Sequence, residues 1–390
     1  MTQVDTTTEP APSVSVEVSE EPRERPTLRA RTAVVARPAG IYLASRAVVA
    51  MAMWMAARIP PPDSVGHIVM SWDGGWYVDT ARLGYPHALP MVDGHVAQST
   101  IAFFPLYPLC IRAVHLLGFS YRMAGLLVAG VAGLVLVVLL WFLLRRVWGD
   151  AAADRGVALF CFFPGAFVLS MTYAESLMLA LVVGSLLALL TRRWLLAGVL
   201  AGLATATTSH ALALAPACAW AAVVAIRQRR EWRALVAPLL CPIGFVAFQL
   251  FLRARTGVAG AYVKTHEAWG VRVDVAVVWH QFRDFFRHPL GDMNVTVAVA
   301  WAVILAVTLV LLVMARPPGP VLIYALGALA PILVSEGLGA RPRFLLTAFP
   351  LVAVLGRWLR GNAFTAVLAG SATLLGCFTV LSIHTLLATP

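Results

Sequence analysis

The chain has 390 residues, of which 60% are hydrophobic and only 13% are charged. Soluble globular domains are about 45–50% apolar and about 25% charged, so this composition excludes an ordinary soluble protein. The formal net charge of +11 comes mostly from arginine in short clusters between apolar segments, a distribution that argues against a nucleic-acid-binding surface.

The N-terminal 36 residues are rich in Thr, Pro, Glu and Arg and poor in aromatic residues. Such a composition is typical of a disordered segment, and no cleavable signal peptide is visible in it. We therefore predict a disordered cytoplasmic tail over 1–36 and a transmembrane domain over 37–390.

Apolar segments follow one another through the rest of the chain, and several are shorter than the ~20 residues that a straight transmembrane helix needs. We expect helices, because a chain inside lipid must satisfy its backbone hydrogen bonds internally. The sequence thus predicts an all-α polytopic membrane protein with about eleven spans. The segments lie at about 38–59, 123–144, 156–171, 176–190, 195–208, 212–226, 234–252, 295–314, 321–334, 344–355 and 363–386.

Arginine clusters set the orientation of these spans, because cytoplasmic connections carry an excess of Lys and Arg. With the N-terminus inside, every short arginine cluster but one falls on the cytoplasmic side, the exception being Arg341 with Arg343. The two long loops, at about 60–121 and 253–293, then lie outside. We therefore predict a multi-pass plasma-membrane protein with its polar loops on the extracytoplasmic face.

The two long loops hold most of the unusual polar residues, including seven of the nine histidines. The densest segment is SWDGGWYVDTARLGYP, residues 71–86, and as a helix it puts Asp73 and Tyr77 next to each other. Trp and Tyr favour the headgroup level, which predicts a short helix at the outer interface. A carboxylate at Asp73 either performs chemistry or only caps the start of that helix.

Two further segments have distinctive patterns. AFFPLYP, residues 102–108, has two prolines in an aromatic run, which favour a rigid, bent segment in the interface or a loop against lipid. MTYAES, residues 171–176, places Tyr173 and Glu175 at an outer hairpin, where a lone acid is more often a solvated turn or a helix cap. No pair of histidines or carboxylates has metal-ligand spacing and no nucleotide fingerprint is visible, so we expect neither a metal nor another cofactor.

Three motifs together carry a family resemblance. WDGGWYVDTARLGY, AFFPLYP and FPGAFVLSMTYAES, in this order and at these separations, resemble the PIG-V family of mannosyltransferases. That family includes the eukaryotic enzyme that adds the second mannose to glycosylphosphatidylinositol anchors, and also bacterial relatives. The resemblance covers about 40–360. Because Lys is nearly absent, the chain resembles a family member from a high-GC bacterium of the actinobacterial type.

The resemblance implies a GT-C fold and a glycosyltransferase that uses a polyprenyl-phosphate sugar outside the cytoplasm. The donor would be polyprenyl-phosphate-mannose, and the acceptor a hydroxyl of a glycolipid, a lipoglycan or a protein. In such enzymes the first outer loop carries an acidic residue, which here is Asp73. The turn TTSHALAL departs from the family, because Ser209 and His210 stand where relatives often have an arginine.

Glycosyl transfer needs the residue types that these motifs supply. A carboxylate base takes the proton of the acceptor hydroxyl, which typically contributes about 10²–10⁴-fold in rate. Arginine stabilises the departing phosphate, and attack opposite to the leaving group inverts the anomeric carbon. We assign Asp73 as the base and Glu175 as a second candidate acid. The candidate substrate-binding residues are Arg46, Trp72, Tyr77, Tyr173, His266, Arg341 and Arg343.

The last two of these residues flank Pro342, which would let both cations converge on the donor phosphate. Alternatively, they pair with Glu336 or with lipid phosphates. Two other functions stay open: transfer of another polyprenyl-phosphate sugar such as arabinose or galactose, and lipid or solute transport. Transporters generally contain repeats of spans, and no repeat is visible between the halves of this chain.

Overall fold

The computed structural model describes residues 28–269, 276–288, 293–333 and 342–384. Within these ranges the β structure is one short antiparallel hairpin that pairs Met91 with Val96, and nearly all other regular structure is helical. The all-α prediction is therefore confirmed. The strands are β1 (Met91–Val92) and β2 (His95–Val96).

The first helix begins earlier than the first apolar segment of the sequence. It starts at Leu28, within the stretch predicted as a tail, because Ala, Arg and Val are compatible with continuing a helix backwards from the span. Residues 1–27 lie outside the described part of the chain, so the tail stays a prediction there. The helices of the N-terminal half are α1 (Leu28–Ala56), α2 (Val65–Ile68), α3 (Asp73–Leu83), α4 (Leu106–His115), α5 (Tyr121–Trp148), α6 (Asp150–Cys161) and α7 (Glu175–Leu190).

The described part of the second half is also helical, and its longest helix lies at the C-terminal end with 24 residues. The helices are α8 (Trp194–Thr205), α9 (Leu214–Arg229), α10 (Val236–Leu240), α11 (Ile243–Thr256), α12 (Ala261–Glu267), α13 (Val277–Arg287), α14 (Met293–Met314), α15 (Gly319–Leu333), α16 (Pro342–Thr347), α17 (Phe349–Ala353), α18 (Leu355–Trp358) and α19 (Gly361–His384). Four 3₁₀ helices of the described residues lie between the α-helices, at Thr100–Ala102, Pro164–Ser170, Ser209–Ala213 and Trp232–Leu235.

Five helical segments of the described residues are long and apolar enough to cross a membrane, or six if one bent pair forms a single span. That pair is α6 with the 3₁₀ helix Pro164–Ser170, which meet at 77°. Further apolar helices are shorter, such as α7 with 16 residues. Each predicted apolar segment coincides with one of these helical segments. The count of eleven requires every shorter helix to cross as well, so that number and the orientation stay predictions.

The main apolar core is formed mostly by α1, by α5 to α9 and by α15. Two smaller clusters attach the long loops to it. In one, Tyr77, Phe103 and Tyr107 of the first long loop pack on the starts of α5 and α7. In the other, Phe104 of the first long loop contacts Phe248 of α11 and Tyr262 of α12. The two long loops therefore meet over one end of the helix bundle, beside the start of α7.

Candidate active site

The start of α3 holds Asp73 in a defined position, as the first residue of the helix. Trp72 before it has φ 58° and ψ −123°, a backbone conformation that costs a non-glycine residue of order 1–3 kcal/mol. The Trp72 indole N–H donates to the Ser382 carbonyl of α19 over 3.1 Å. The Asp73 N–H donates to the Tyr173 hydroxyl over 3.2 Å. Contacts with two distant segments thus fix the point where the loop enters α3.

Gly74 allows α3 to lie against the loop that precedes α7. A Cβ atom at Gly74 would lie 2.5 Å from Thr172 Oγ1, whereas a Cβ atom at Gly75 would meet Met70 O at 3.4 Å. The buried Thr172 hydroxyl cannot move easily, because it donates to the Val69 carbonyl over 3.0 Å. Only glycine at position 74 therefore permits this approach.

Three ionisable side chains from separate parts of the chain meet beside this helix start, and we call them the Asp73–Arg343–Glu175 cluster. Arg343 Nη1 in α16 lies 2.5 Å from Asp73 Oδ2 and 3.8 Å from Glu175 Oε1 in α7. The side chains of Arg343 and Glu175 are 10% and 12% exposed, while that of Asp73 is 22% exposed. One guanidinium thus faces two carboxylates, and Asp73 is the more accessible of the two.

The cluster resolves alternatives that the sequence left open. Asp73 does not cap α3, because Trp72 occupies the cap position and no side-chain hydrogen bond caps the helix there. Glu175 does not lie in a solvated turn, because only 9% of the residue is exposed. Arg343 pairs with Asp73, whereas Arg341 and Glu336 both lie outside the described residues.

Several buried polar atoms in the cluster and near it have unused hydrogen-bonding capacity. Among the described residues, Glu175 Oε2, Arg343 Nε and His266 Nδ1 are buried without a hydrogen-bond partner. An unpaired buried polar group costs about 1–3 kcal/mol, and more when it is charged. Such groups are rare in native structures, and a bound polar ligand would satisfy them. The cluster is therefore a suitable place for a ligand rich in oxygen atoms.

Two histidines lie near the cluster, and the sequence assigned a binding role to His266 but none to His210. The His210 ring lies 5.3 Å from that of Phe344, and the His266 ring lies 4.4 Å from that of Tyr262. Both imidazoles are close enough to interact electrostatically with Asp73. Burial lowers the pKa of His266, and the Asp73 charge acts in the opposite direction. His266 is thus a neutral imidazole at neutral pH, and a neutral imidazole can form hydrogen bonds with hydroxyl groups.

The turn before α9 brings His210 to this place. The Tyr262 hydroxyl donates to Ser209 Oγ over 3.0 Å, which ties the turn to α12 of the second long loop. The departure of TTSHALAL from the family pattern was the signal in the sequence. It marked the position but gave no partner for Ser209, because Tyr262 lies 53 residues further along the chain.

Tyr173 supports the cluster directly. Its hydroxyl accepts from the Asp73 N–H and donates to the Ser71 carbonyl, both over 3.2 Å. The Arg343 Cζ atom lies 5.4 Å from the centre of its ring. Tyr173 therefore contacts both the acid and the cation, and it is fully buried.

Tyr77 has a different environment, although it lies one turn after Asp73. Its ring packs edge-on against Phe103 at 4.9 Å and Tyr107 at 5.1 Å. Burial raises the pKa of Tyr77 well above its ordinary value, so the side chain remains a neutral phenol. The described contacts of Tyr77 thus place its ring among the aromatic rings of Phe103 and Tyr107.

Arg46 lies in α1 and contacts the bend between α6 and the following 3₁₀ helix. Its Nη1 donates to the Ala166 carbonyl over 2.6 Å and to Ser170 Oγ over 3.0 Å. Its Nη2 donates to the Cys161 carbonyl over 3.0 Å. The described hydrogen bonds of Arg46 therefore stabilise this bend and do not bring it to the Asp73–Arg343–Glu175 cluster.

The remaining expectations concern Trp72 and metal ions. Trp72 is 41% exposed and faces α19 through its indole N–H. Within the described ranges no group of three or more His, Cys, Asp or Glu side chains is arranged to hold a metal ion. The expectation of a cofactor-free site stays a prediction.

No protein-family model matches the chain, and no curated protein matches it. The chain is similar in structure to ArnT from Cupriavidus metallidurans bound to undecaprenyl phosphate, with a TM-score of 0.52 and 15% identity over 88% of this chain. The apo state of the same protein gives the same TM-score and identity. The match spans 65% of the length of ArnT in the bound structure and 64% in the apo structure.

The Archaeoglobus fulgidus oligosaccharyltransferase tethered with an acceptor peptide is also similar, at 13% identity over 89% of this chain and 56% of its own. Its TM-score of 0.46 is too low to support a common fold. The likeness to ArnT confirms the predicted fold class. The chain is an all-α membrane protein with the GT-C fold.

Proposed function

We propose that the chain is an inverting membrane glycosyltransferase that transfers mannose from polyprenyl-phosphate-mannose to an acceptor hydroxyl on the extracytoplasmic face. The observation that carries this proposal is the Asp73–Arg343–Glu175 cluster, where a partly exposed carboxylate lies beside a buried guanidinium. Glycosyl transfer from a phosphate-linked donor needs a base for the acceptor and a cation for the leaving phosphate. The cluster offers both groups at one place.

Asp73 is the base in this proposal. Its carboxylate takes the proton of the acceptor hydroxyl while the hydroxyl oxygen bonds to the anomeric carbon. The bond from that carbon to the phosphate oxygen breaks, and its electron pair leaves with the polyprenyl phosphate. Attack from the side opposite to the phosphate inverts the anomeric configuration. The proton then passes from Asp73 to solvent.

Arg343 is the proposed ligand of the donor phosphate. A guanidinium presents five N–H donors in a planar fork that matches phosphate oxygens. Its Nε is buried without a partner among the described residues, so it has capacity for a further acceptor. Charge on the phosphate grows as the sugar leaves, which strengthens this attraction in the transition state.

The parts of the proposed donor rest on different support. The polyprenyl phosphate is supported by the fold shared with ArnT, a protein whose structure contains undecaprenyl phosphate. Mannose is supported by the resemblance of three sequence motifs to the PIG-V family. A neutral His266 beside Asp73 is suited to the hydroxyl groups of an uncharged sugar. The acceptor is proposed only as a hydroxyl of a glycolipid, a lipoglycan or a protein.

The direct test is sugar transfer by purified protein in nanodiscs, with labelled polyprenyl-phosphate-mannose and membrane extracts as the source of acceptor. We expect labelled product and released polyprenyl phosphate from wild type and from Asp79→Asn, which changes an exposed acid of the same helix. Asp73→Asn should give neither. Parallel reactions with the arabinose and galactose donors test the sugar. A folded protein that turns over none of these donors would contradict the proposal.

The proposed face of the membrane has its own test. Reporter fusions after Arg146, Arg193 and Arg233 should report a cytoplasmic location, and fusions within 60–121 or 253–293 an external one. A cytoplasmic signal from the first long loop would contradict an extracytoplasmic active site.

A further inference from the structure

The second long loop contains a helix that the proposed active site does not use. This helix, α13, has the sequence VVWHQFRDFFR. Trp279, Phe282 and Phe286 are separated by three and four residues, so their side chains lie along one face of the helix, which we call the aromatic face. Asp284 lies about 140° around the helix from Trp279, because successive residues are rotated by about 100°. α13 is therefore an amphipathic helix.

The aromatic face is largely uncovered by the described part of the chain. Trp279 is 69% exposed and Phe286 is 73% exposed, while Phe282 between them is half-buried. Exposed aromatic side chains that lie side by side are uncommon on surfaces that face only water, and they mark sites of interaction with another protein or with a membrane. The aromatic face therefore has the properties of an interaction surface.

The next helix along the chain brings this surface close to lipid. α14 lies against α13, has no charged residue and exposes Val303, Ile304 and Val307. In a membrane protein such exposed apolar side chains contact lipid. The four residues between His288 and Met293, where α14 begins, can span at most about 18 Å even when fully extended. The end of α13 therefore lies within that distance of a helix that faces lipid.

Two exposed arginines, Arg283 and Arg287, border the aromatic face. Arg283 follows Trp279 by one turn, and its Nε donates to Asp284 Oδ1 over 3.2 Å. Guanidinium groups match phosphate oxygens, and their apolar stems can lie along lipid while the charged ends stay at the headgroups. Aromatic rings on one face with arginine beside them is the pattern of helices that lie in the membrane interface. A phospholipid surface thus complements both the rings and the charges of α13.

We propose that α13 is an interfacial helix that lies on the membrane surface at the start of α14, with its aromatic face in the lipid and Arg283 and Arg287 at the phospholipid phosphates. The bilayer that surrounds the chain, and not a second protein, covers the aromatic face. α13 thereby attaches the second long loop to the membrane, and the same loop carries His266 to the neighbourhood of Asp73. This attachment does not depend on which reaction the chain performs.

The test measures the surroundings of spin labels on α13 in the full chain, in nanodiscs of phosphatidylcholine and phosphatidylglycerol. Single cysteines for labelling are introduced by Trp279→Cys, Phe286→Cys and Asp284→Cys. The background carries Cys110→Ser and Cys377→Ser, because the other three cysteines of the chain are buried. Power saturation compares collisions of each label with oxygen, which concentrates in lipid, and with a water-soluble nickel chelate.

A label introduced by Val307→Cys, at an exposed apolar position of α14, is the reference for lipid. We expect the labels at positions 279 and 286 to resemble this reference. Their ratio of oxygen to nickel collisions should be several-fold higher than that of the label at position 284, on the other side of α13.

Trp279→Phe provides a second measurement, which needs no label and retains an aromatic ring. We compare tryptophan fluorescence of wild type and of this variant in nanodiscs with and without dibrominated phosphatidylcholine, whose bromine atoms quench nearby indoles. The emission that the bromine atoms quench should be larger in wild type by the contribution of Trp279. If a cysteine variant does not fold, this comparison and the remaining labelled positions still decide the proposal.

Three results would overturn the inference. Nickel collisions at positions 279 and 286 as frequent as at 284 would place α13 in water. Labels at 279 and 286 that neither oxygen nor nickel reaches would mean that protein covers the aromatic face. Equal quenched emission in wild type and Trp279→Phe would place the indole away from lipid. Each of these results leaves the proposed function standing if wild type transfers sugar, and a failure of transfer leaves the interfacial helix standing.

Discussion

Two arginines inside the helix bundle, Arg46 and Arg343, use their hydrogen-bond donors in opposite ways. Arg46 directs Nε, Nη1 and Nη2 at four uncharged oxygen atoms, two of which are backbone carbonyls at the bend after α6 and two of which are serine hydroxyls. Arg343 faces two carboxylates and keeps its buried Nε without a partner among the described residues. A guanidinium whose three nitrogen atoms all donate hydrogen bonds within the protein holds a fold together, whereas one with an unpartnered nitrogen beside an accessible acid is available to a ligand.

The largest expected effect comes from substituting Asp73, the accessible acid that lies beside Arg343. Asp73→Asn keeps the shape of the side chain and removes the proposed base, so transfer should fall by at least about 10²-fold. Thermal stability in detergent should change little, because the amide can still accept from Arg343. Initial rates with saturating donor measure the effect. Activity that survives in Asp73→Asn but disappears in Glu175→Gln would assign the base to Glu175.

A smaller loss is expected when the cation of the same cluster is removed. Arg343→Ala should weaken donor binding and slow transfer by about 10- to 100-fold, since a hydrogen bond to a charged group contributes about 1.5–3 kcal/mol. Arg343→Lys should recover only part, because a point charge cannot reproduce the planar fork. Donor titrations of the three proteins measure this. Unchanged affinity and turnover in Arg343→Ala would place the phosphate elsewhere.

The matching change at Arg46 should affect stability instead of turnover. Arg46→Lys retains the charge but leaves the Ala166 or Cys161 carbonyl without its donor, which should lower the free energy of unfolding by about 2 kcal/mol. Turnover per folded molecule should stay within about threefold of wild type. Thermal unfolding and activity of the same monodisperse fraction check both parts. A stable variant with weak donor binding would restore the substrate-binding role that the sequence suggested for Arg46.

The smallest effects are expected from two neighbouring glycines of α3. Gly74→Ala must displace Thr172 and should lower stability by about 1–2 kcal/mol, with only a partial decrease in transfer as Asp73 shifts relative to Arg343. Gly75→Ala has room for its Cβ atom and should raise stability by up to about 1 kcal/mol through helix propensity. Unfolding curves of the pair measure the difference. Equal behaviour of both variants would mean that the close approach at Gly74 does not set the geometry.

Much of the fold followed from local patterns in the sequence. Each apolar segment became helical, some of them as two or three consecutive helices, and the motif around Asp73 became α3, because helix formation depends on residues that are close in the chain. The aromatic segment 102–108 was left between two alternatives that stay predictions, although the structure shows that its two phenylalanines are buried and that α4 begins directly after Pro105. The number of spans was harder, because short apolar helices satisfy the same pattern whether or not they cross the bilayer.

The sequence identified most residues of the site but did not show which of them contact each other. Asp73, Glu175 and Arg343 were chosen for their residue type and position in motifs, and the structure brings them together. The same reasoning chose Arg46, which lies at the bend instead. It missed His210, since no local pattern shows that this turn reaches the ring of Phe344.

The sequence by itself determined which segments form helices, where the polar loops begin and which side chains have the chemistry for sugar transfer. Those properties depend on neighbouring residues, on hydrophobicity and on side-chain type. Only the tertiary structure decided that Arg343 faces Asp73, 270 residues away, while Arg46 faces backbone carbonyls. The physical reason is that the strength of an ion pair depends on distance and on the exclusion of water, and both are set only when distant segments pack against each other.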